Sequence, residues 1–267
     1  MNCKNCDNTL RTDYSFCPDC GAKVIRNRIT AKNLWYDAVE RFFNIDNTFL
    51  ITFKNLFTNP DLVIVGYIKG VRKKYLNPIS YFTIAVMLGG LFVFLNKQYF
   101  PEAMDYQFSS MNAEEMTESD KFGVDLAKKF QDYTFEYQNL FYVLMLPFLA
   151  LISRLVFINK KEYNLSEHFV MNIYGYSQMS ICVNLIYILF IWNSRLIYYA
   201  ASINGIFQIL YFSYMFKKIF KLNLKQTVLK LLFFLIILGA VFAIIIVLLG
   251  IYLAFFTDTF ANLVPPK

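Results

Sequence analysis

A soluble chain carries about 25% charged residues and roughly half apolar ones, whereas this chain of 267 residues has 17% and 57%, with 29 Phe and 19 Tyr. That composition excludes an ordinary soluble domain and asks for a solvent other than water. The net charge of +7 invites a nucleic-acid reading, but no basic stripe is interleaved with stacking aromatics away from the apolar runs, so no nucleic-acid partner is expected.

In chain order the first element is a cysteine hairpin. Cys3, Cys6, Cys17 and Cys20 form C-x2-C, ten residues, then C-x2-C. Two such knuckles supply four thiolates to a tetrahedral zinc ion and close its coordination, leaving no open position for a substrate. Asp7 and Gly21 follow the knuckles as turn residues, and Pro18 stiffens the second. The competing readings are two disulfides or redox-active pairs. Disulfides conflict with a cytoplasmic location, and thioredoxin-like chemistry needs a βαβ context that the sequence lacks. Some 20 residues cannot bury a core, so metal must supply the folding energy. Residues 1–28 are read as a zinc ribbon.

Residues 29–77 hold three short aromatic-rich helices. AKNLWYDAVERFFNID is amphipathic; NTFLITFKNLF follows Asp46 as a plausible N-cap; DLVIVGYIKG follows Asn59-Pro60, cap and first-turn proline in order. They form either an interfacial collar or a layer packed on the ends of the spans.

From residue 78 onward, five runs have the length and apolarity of membrane spans, about 79–95, 140–158, 169–192, 196–216 and 231–256. The first run lies nearly 80 residues in, so no cleavable signal is visible and the first span acts as its own insertion signal. Of the 26 Lys and Arg, 20 lie in segments on one side of these spans. The positive-inside rule therefore puts the N-terminus in the cytoplasm and the C-terminus outside, in a cell inner membrane. The basic face suits the anionic inner leaflet. The loop 96–139 reads as a solvated outer cap, with a polar helix in AEEMTESDKFGVDLAKKFQDY.

Polar residues within the spans are functional candidates by default. Asn172, Gln178 and Asn184 in the third, and Asn204, Gln208 and Tyr211 in the fourth, read as interhelical hydrogen-bonding groups. Pro147 should kink the second span, Gly89-Gly90 and Gly175 permit close helix approach, and Arg154 and Lys230 sit where they can snorkel. His168 is the only histidine, and no Ser, Asp, His spacing or H-E-x-x-H is present, so no enzyme is expected. Glu167, after Ser166 as cap, suits a helix N-terminus. A second role for the boundary groups is an anion or lipid-headgroup site built from Arg72, Lys73, Arg154, Glu167 and His168.

The stretch NIDNTFLITFKNLFTNPDLVIVGYIKGVRKKYLNPISYF resembles the core motif of the family called domain of unknown function 3667, zinc-ribbon-bearing bacterial membrane proteins. Its motif corresponds here to Gly70, Arg72, Tyr75, Asn77 and Pro78, and the Glu-His found in those proteins is matched by Glu167-His168. The similarity covers the first 82 residues and departs in the third span, which reads NIYGYSQMS. It implies topology and no settled activity.

The resulting expectation is an all-α membrane protein, a five-span transmembrane bundle (78–267) with a small four-cysteine zinc ribbon and interfacial amphipathic helices. Its expected role is a binding, regulatory or scaffold module that engages a cytoplasmic protein through the ribbon. The alternative is a transporter or lipid-handling protein using the polar third and fourth spans. A dry bundle interior favours the first; a cavity opening from the membrane centre to the cytoplasm favours the second.

Overall fold

The computed structural model describes residues 2–22, 24, 45–101 and 117–256. The chain divides into two compact units, Met1–Asp46 and Asn47–Lys267. The amphipathic helix expected in AKNLWYDAVERFFNID lies almost wholly outside the described residues.

Among the described residues the second unit is entirely helical: α1 (Ile45–Thr58), α2 (Pro60–Ile68), α3 (Pro78–Tyr99), α4 (Glu118–Glu136), α5 (Gln138–Val156), α6 (Leu165–Leu189), α7 (Ser194–Ile219) and α8 (Leu224–Phe256). Local chemistry sets most boundaries. Asp46 falls inside α1 rather than before it. Pro60 occupies the first turn of α2 as expected, although Asn59 makes no side-chain cap bond. Helix α4 is the expected polar helix, started by a capping box between Thr117 and Asp120. Pro147 lies inside α5, which continues through it.

The cap of α6 differs from expectation. Ser166 lies within the first turn, and Asn164 is the N-cap. Its Oδ1 accepts from the Glu167 backbone N–H at 2.9 Å, while Glu167 Oε2 accepts from the Asn164 N–H at 2.6 Å. This reciprocal box satisfies two orphan donors, which Ser166 could not do from within the first turn.

The link between α2 and α3 is a sequence of local stops and starts. Gly70 has φ +100, and its N–H donates to Tyr67 O while the Val71 N–H donates to Gly66 O at 2.9 Å. That is a Schellman ending, in which the left-handed residue carries no Cβ penalty only if it is glycine. The next helix starts at Asn77, whose Oδ1 accepts from the Ser80 N–H at 2.9 Å, with Pro78 at the first helical position.

Helix α6 is the axis of the bundle and packs against α3, α5 and α7. Gly175 allows this: a Cβ there would meet Met215 Sδ at 2.9 Å and Phe212 Cε1 at 3.1 Å. The neighbours run alongside in staggered register. Tyr174, nine residues into α6, bonds to Leu76 just before α3 begins, so about 13 Å of α6 extends past the start of α3. Helix α5 ends and helix α7 finishes along that extension, with Phe157 and Phe220 stacked at 4.2 Å and 5°. This end carries Lys160, Lys161, Lys217, Lys218 and Lys221 and is called the basic end below.

Polarity is inverted relative to a soluble protein. Gln138, Ser153, His168, Asn172, Ser177, Gln178, Ser180 and Asn184 are buried, while Ile79, Phe94, Phe148, Leu189, Phe207 and Ile236 are exposed. Water would penalise that surface, whereas a hydrocarbon solvent accepts it. Among the described residues, four helices are long and apolar enough to cross a membrane: Pro78–Tyr99, Gln138–Val156, Ser194–Ile219 and Leu224–Ile244. The arrangement is that of a multi-pass membrane protein. Helix α6, expected as a fifth span, has the length at 25 residues but falls outside this set, because its polar groups face its neighbours and dilute its apolarity.

Candidate functional site

The cysteine hairpin is built from two equivalent knuckles. In the first, the Cys3 N–H donates to Asn8 O at 2.8 Å and the Asp7 N–H to Cys3 O at 2.9 Å; in the second, the Cys17 N–H donates to Ala22 O at 2.8 Å and the Gly21 N–H to Cys17 O at 3.0 Å. Asp7 and Gly21 both adopt positive φ, 59 and 70. The same backbone turn thus occurs twice, fourteen residues apart, and each turn aims two sulfurs inward.

Cys3 Sγ lies 3.7 Å from Cys20 Sγ, and Cys6 Sγ 3.6 Å from Cys17 Sγ. All four sulfurs lie within 4.8 Å of one another. A disulfide needs about 2.05 Å, so these are free thiols. A metal–sulfur distance of about 2.3 Å at tetrahedral angles requires sulfurs about 3.8 Å apart. The hairpin therefore fits a metal ion. Its own core is slight: Cys3, Leu10 and Cys17, with Tyr14, Ala22 and Val24 around them.

The protonation of the set is uneven. The Ala22 backbone, then the Asn5 side chain and Cys6, lower the Cys20 thiol to about 6. At Cys6 the Asn8 backbone bond also lowers the pKa, but Cys20, desolvation and the other thiols outweigh it and push the group up to about 12. Crowded thiols cannot all ionise unaided, and a bound cation removes that conflict.

Inside the bundle, the polar residues of α6 are taken up by neighbours. Asn172 Nδ2 donates to Ser153 Oγ on α5 at 2.8 Å, and Ser153 Oγ lies 3.0 Å from His168 Nδ1. The Ser153 hydroxyl also reaches Ala150 O at 3.0 Å. His168 Nε2 is buried without a hydrogen-bond partner, beside the rings of Phe157 and Phe220. Gln178 links three helices: its Oε1 accepts from the Tyr81 hydroxyl on α3, and its Nε2 donates to Phe53 O on α1. Asn184 differs from the interhelical reading, since its amide donates back to Ser180 on its own helix.

Tyr211 makes the interhelical bond expected of it, and Tyr214 and Tyr174 do what sequence reasoning missed. Tyr211 and Tyr214 of α7 donate to Leu56 O and Thr58 O, at 3.1 and 2.6 Å, and so cap the C-terminal carbonyls of α1. Tyr174 donates to Leu76 O at 2.7 Å, and Thr52 Oγ1 accepts from the Leu76 N–H at 2.9 Å. Helices α1 and α2 are thereby packed on the spans, with Thr52, Leu56, Val63 and Ile64 all at 0% exposure. The one available signal was α1's lack of a glycine or basic residue at its end, which leaves its last carbonyls needing outside donors.

The boundary residues are mostly engaged by different neighbours, with Arg154 near enough for its charge to act on His168. The Arg72 guanidinium lies 3.9 Å over the Tyr67 ring; Arg154 reaches Lys160 O at 3.4 Å; Glu167 is committed to the α6 cap and His168 has 0% exposure. Arg72 and Lys73 face solvent. Lys230 donates to Val156 O at 2.5 Å and to Asn159 Oδ1 at 2.7 Å, so it caps the end of α5 as a cation should. The motif residues Gly70, Arg72, Tyr75, Asn77 and Pro78 are all accounted for by the α2–α3 link: a Schellman glycine, a stacked cation, a buried ring, a cap and a first-turn proline.

No curated protein and no solved structure matches this chain. A family model does: residues 46–89 match the family described as Protein of unknown function (DUF3667). The match runs from α1 through the motif link into the first half of α3, and in that segment this chain carries the DUF3667 family signature.

Proposed function

We propose that this protein is a bacterial inner-membrane anchor for a cytoplasmic four-thiolate zinc ribbon, which binds a cytoplasmic protein and gives the chain a regulatory or scaffold role. The observation that carries the reading is that Asn172, Gln178 and Tyr211 bond to neighbouring helices. Polar groups committed in this way serve as glue, about 0.6 kcal/mol each, and are not available to line a transport path. Four thiolates likewise fill a zinc ion's coordination and leave no catalytic position. The ribbon's role is then to present a surface, and no enzymatic step is assigned to it.

In this reading α6 is a fifth span, shielded by α3, α5 and α7. The basic end faces the cytoplasm and the anionic leaflet, because 20 of the 26 Lys and Arg belong to that side. Affinity capture of the intact protein from crosslinked membranes tests the role. The expected outcome is a defined set of cytoplasmic proteins recovered with the wild type and lost with Cys17→Ser at equal membrane abundance. The same set recovered with both proteins would end the ribbon reading.

Topology has its own measurement. A cysteine introduced at Ser119 in an otherwise cysteine-free background should react with an impermeant thiol reagent applied to spheroplasts, and one at Lys225 should react only after lysis. Reaction at Lys225 from outside would reverse the orientation.

A further inference from the structure

The end of the bundle opposite the basic end contains a cavity of about 360 Å³ between α3, α4, α5, α6 and α7. Six of its thirteen lining residues are aromatic, among them Phe92, Phe135, Tyr142 and Tyr187, and none is charged. Three amides also line it, Gln131, Gln138 and Asn204. Gln138 is 7% exposed; its Nε2 donates to the Tyr142 hydroxyl, while its Oε1 accepts no hydrogen bond among the described residues. The Asn204 amide, half-buried on α7, has no hydrogen-bond partner among the described residues.

Those unmet groups need a partner with matching polarity. The rest of the wall needs an apolar body, and pockets of this size and mixture are those that hold small ligands. Access is lateral: Phe141 and Tyr198 border the cavity and are 46% and 37% exposed on the apolar outer surface. Both sit about one turn from the ends of their helices, the depth at which a lipid's head meets its chains. A phosphate would find no cation there. The basic residues nearest to the lining in sequence, Lys129 and Arg195, lie against Asp125 and over the Tyr199 ring and are not part of the wall.

We infer that this cavity is a binding site for an uncharged, hydroxyl-bearing lipid of the diacylglycerol class, whose hydroxyl and ester carbonyls meet Gln138 and Asn204 while a chain lies among the rings. The site goes beyond the ribbon's role and does not depend on it.

The test uses the full chain in detergent, with dioctanoylglycerol and dioctanoyl-phosphatidylglycerol as probes, read by thermal unfolding and native mass spectrometry. Saturating dioctanoylglycerol should raise the wild-type melting temperature by roughly 5 °C, and the phosphatidylglycerol should raise it less. Ala201→Phe fills the cavity from an exposed position and should abolish the shift. Asn204→Leu keeps the volume, loses the amide and should weaken dioctanoylglycerol binding about tenfold; it serves as the test should Ala201→Phe fail to fold. Cys17→Ser should retain the full shift, so a failure of the ribbon reading leaves this result readable. Equal shifts in wild type and Asn204→Leu, or tighter binding of the phosphatidylglycerol, would overturn the assignment.

Discussion

Replacing Cys17 by serine is expected to remove the metal from the chain and unfold residues 2–24 while the spans still insert. Cys17 is 2% exposed and lies at the centre of the hairpin, its sulfur 3.6 Å from that of Cys6. The hairpin's remaining apolar contacts are Cys3 and Leu10 with three partly buried neighbours. A core of that size cannot oppose chain entropy over some 20 residues. Structural zinc supplies on the order of 10–16 kcal/mol in comparable peptides, and a three-thiolate site forfeits most of it. Elemental analysis of the purified wild type should give about one zinc per chain and the variant close to none. Limited proteolysis should then cut the variant within residues 2–24 and spare α3 to α8. A wild type that carries no metal would refute the zinc assignment outright.

The second large effect is expected at Tyr174. Its side chain has 0% exposure, its ring packs on Tyr67 at 6.0 Å and Tyr81 at 6.1 Å, and its hydroxyl holds Leu76 O. Tyr174→Ala leaves a cavity where α2, α3 and α6 meet and should cost roughly 3–5 kcal/mol. Tyr174→Phe keeps the ring and removes one donor, so it should cost about 1 kcal/mol. Thermal unfolding in detergent should therefore rank wild type, Phe and Ala in that order, with a much larger step to Ala. Equal melting temperatures for Phe and Ala would mean that the hydroxyl, and not the ring, holds the link in place.

The apolar runs were legible because hydropathy and length are properties of the chain itself. The run at 79–95 became Pro78–Tyr99 and that at 231–256 became Leu224–Phe256. The helices outlast the runs because backbone bonding continues into polar sequence, as at Lys225 and Lys230. The cysteine spacing was legible for a similar reason: two knuckles encode their own turns. What could not be read was any bond whose partner is distant in sequence. Gln178 could be picked out as a buried amide, but its partners Tyr81 and Phe53 are 97 and 125 residues away. Asn184 looked equivalent and turned back on its own helix. Asn204 and Gln208 lie on the same face as Tyr211, yet only Tyr211 reaches α1. The same limit applied to α6: its run at 169–192 reads as a span from length and apolarity, but which groups receive the polar atoms of its NIYGYSQMS segment could not be read.

The polarity of α6 also bears on how the protein is made. A segment that carries His168 and Gln178 gains little by entering lipid alone, since that imidazole and that amide would meet no partner there. Ser153 on α5 and Tyr81 on α3 precede it in the chain and are in place first. Met215 and Phe212, which close over Gly175, arrive only when α7 has been synthesised. In the proposed five-span topology α6 is therefore held during synthesis on one side by finished helices and open on the other, and its commitment to the bilayer waits for the chain that follows it. Interrupting translation between α6 and α7 would leave a polar helix half enclosed, the state most open to slipping back across the boundary.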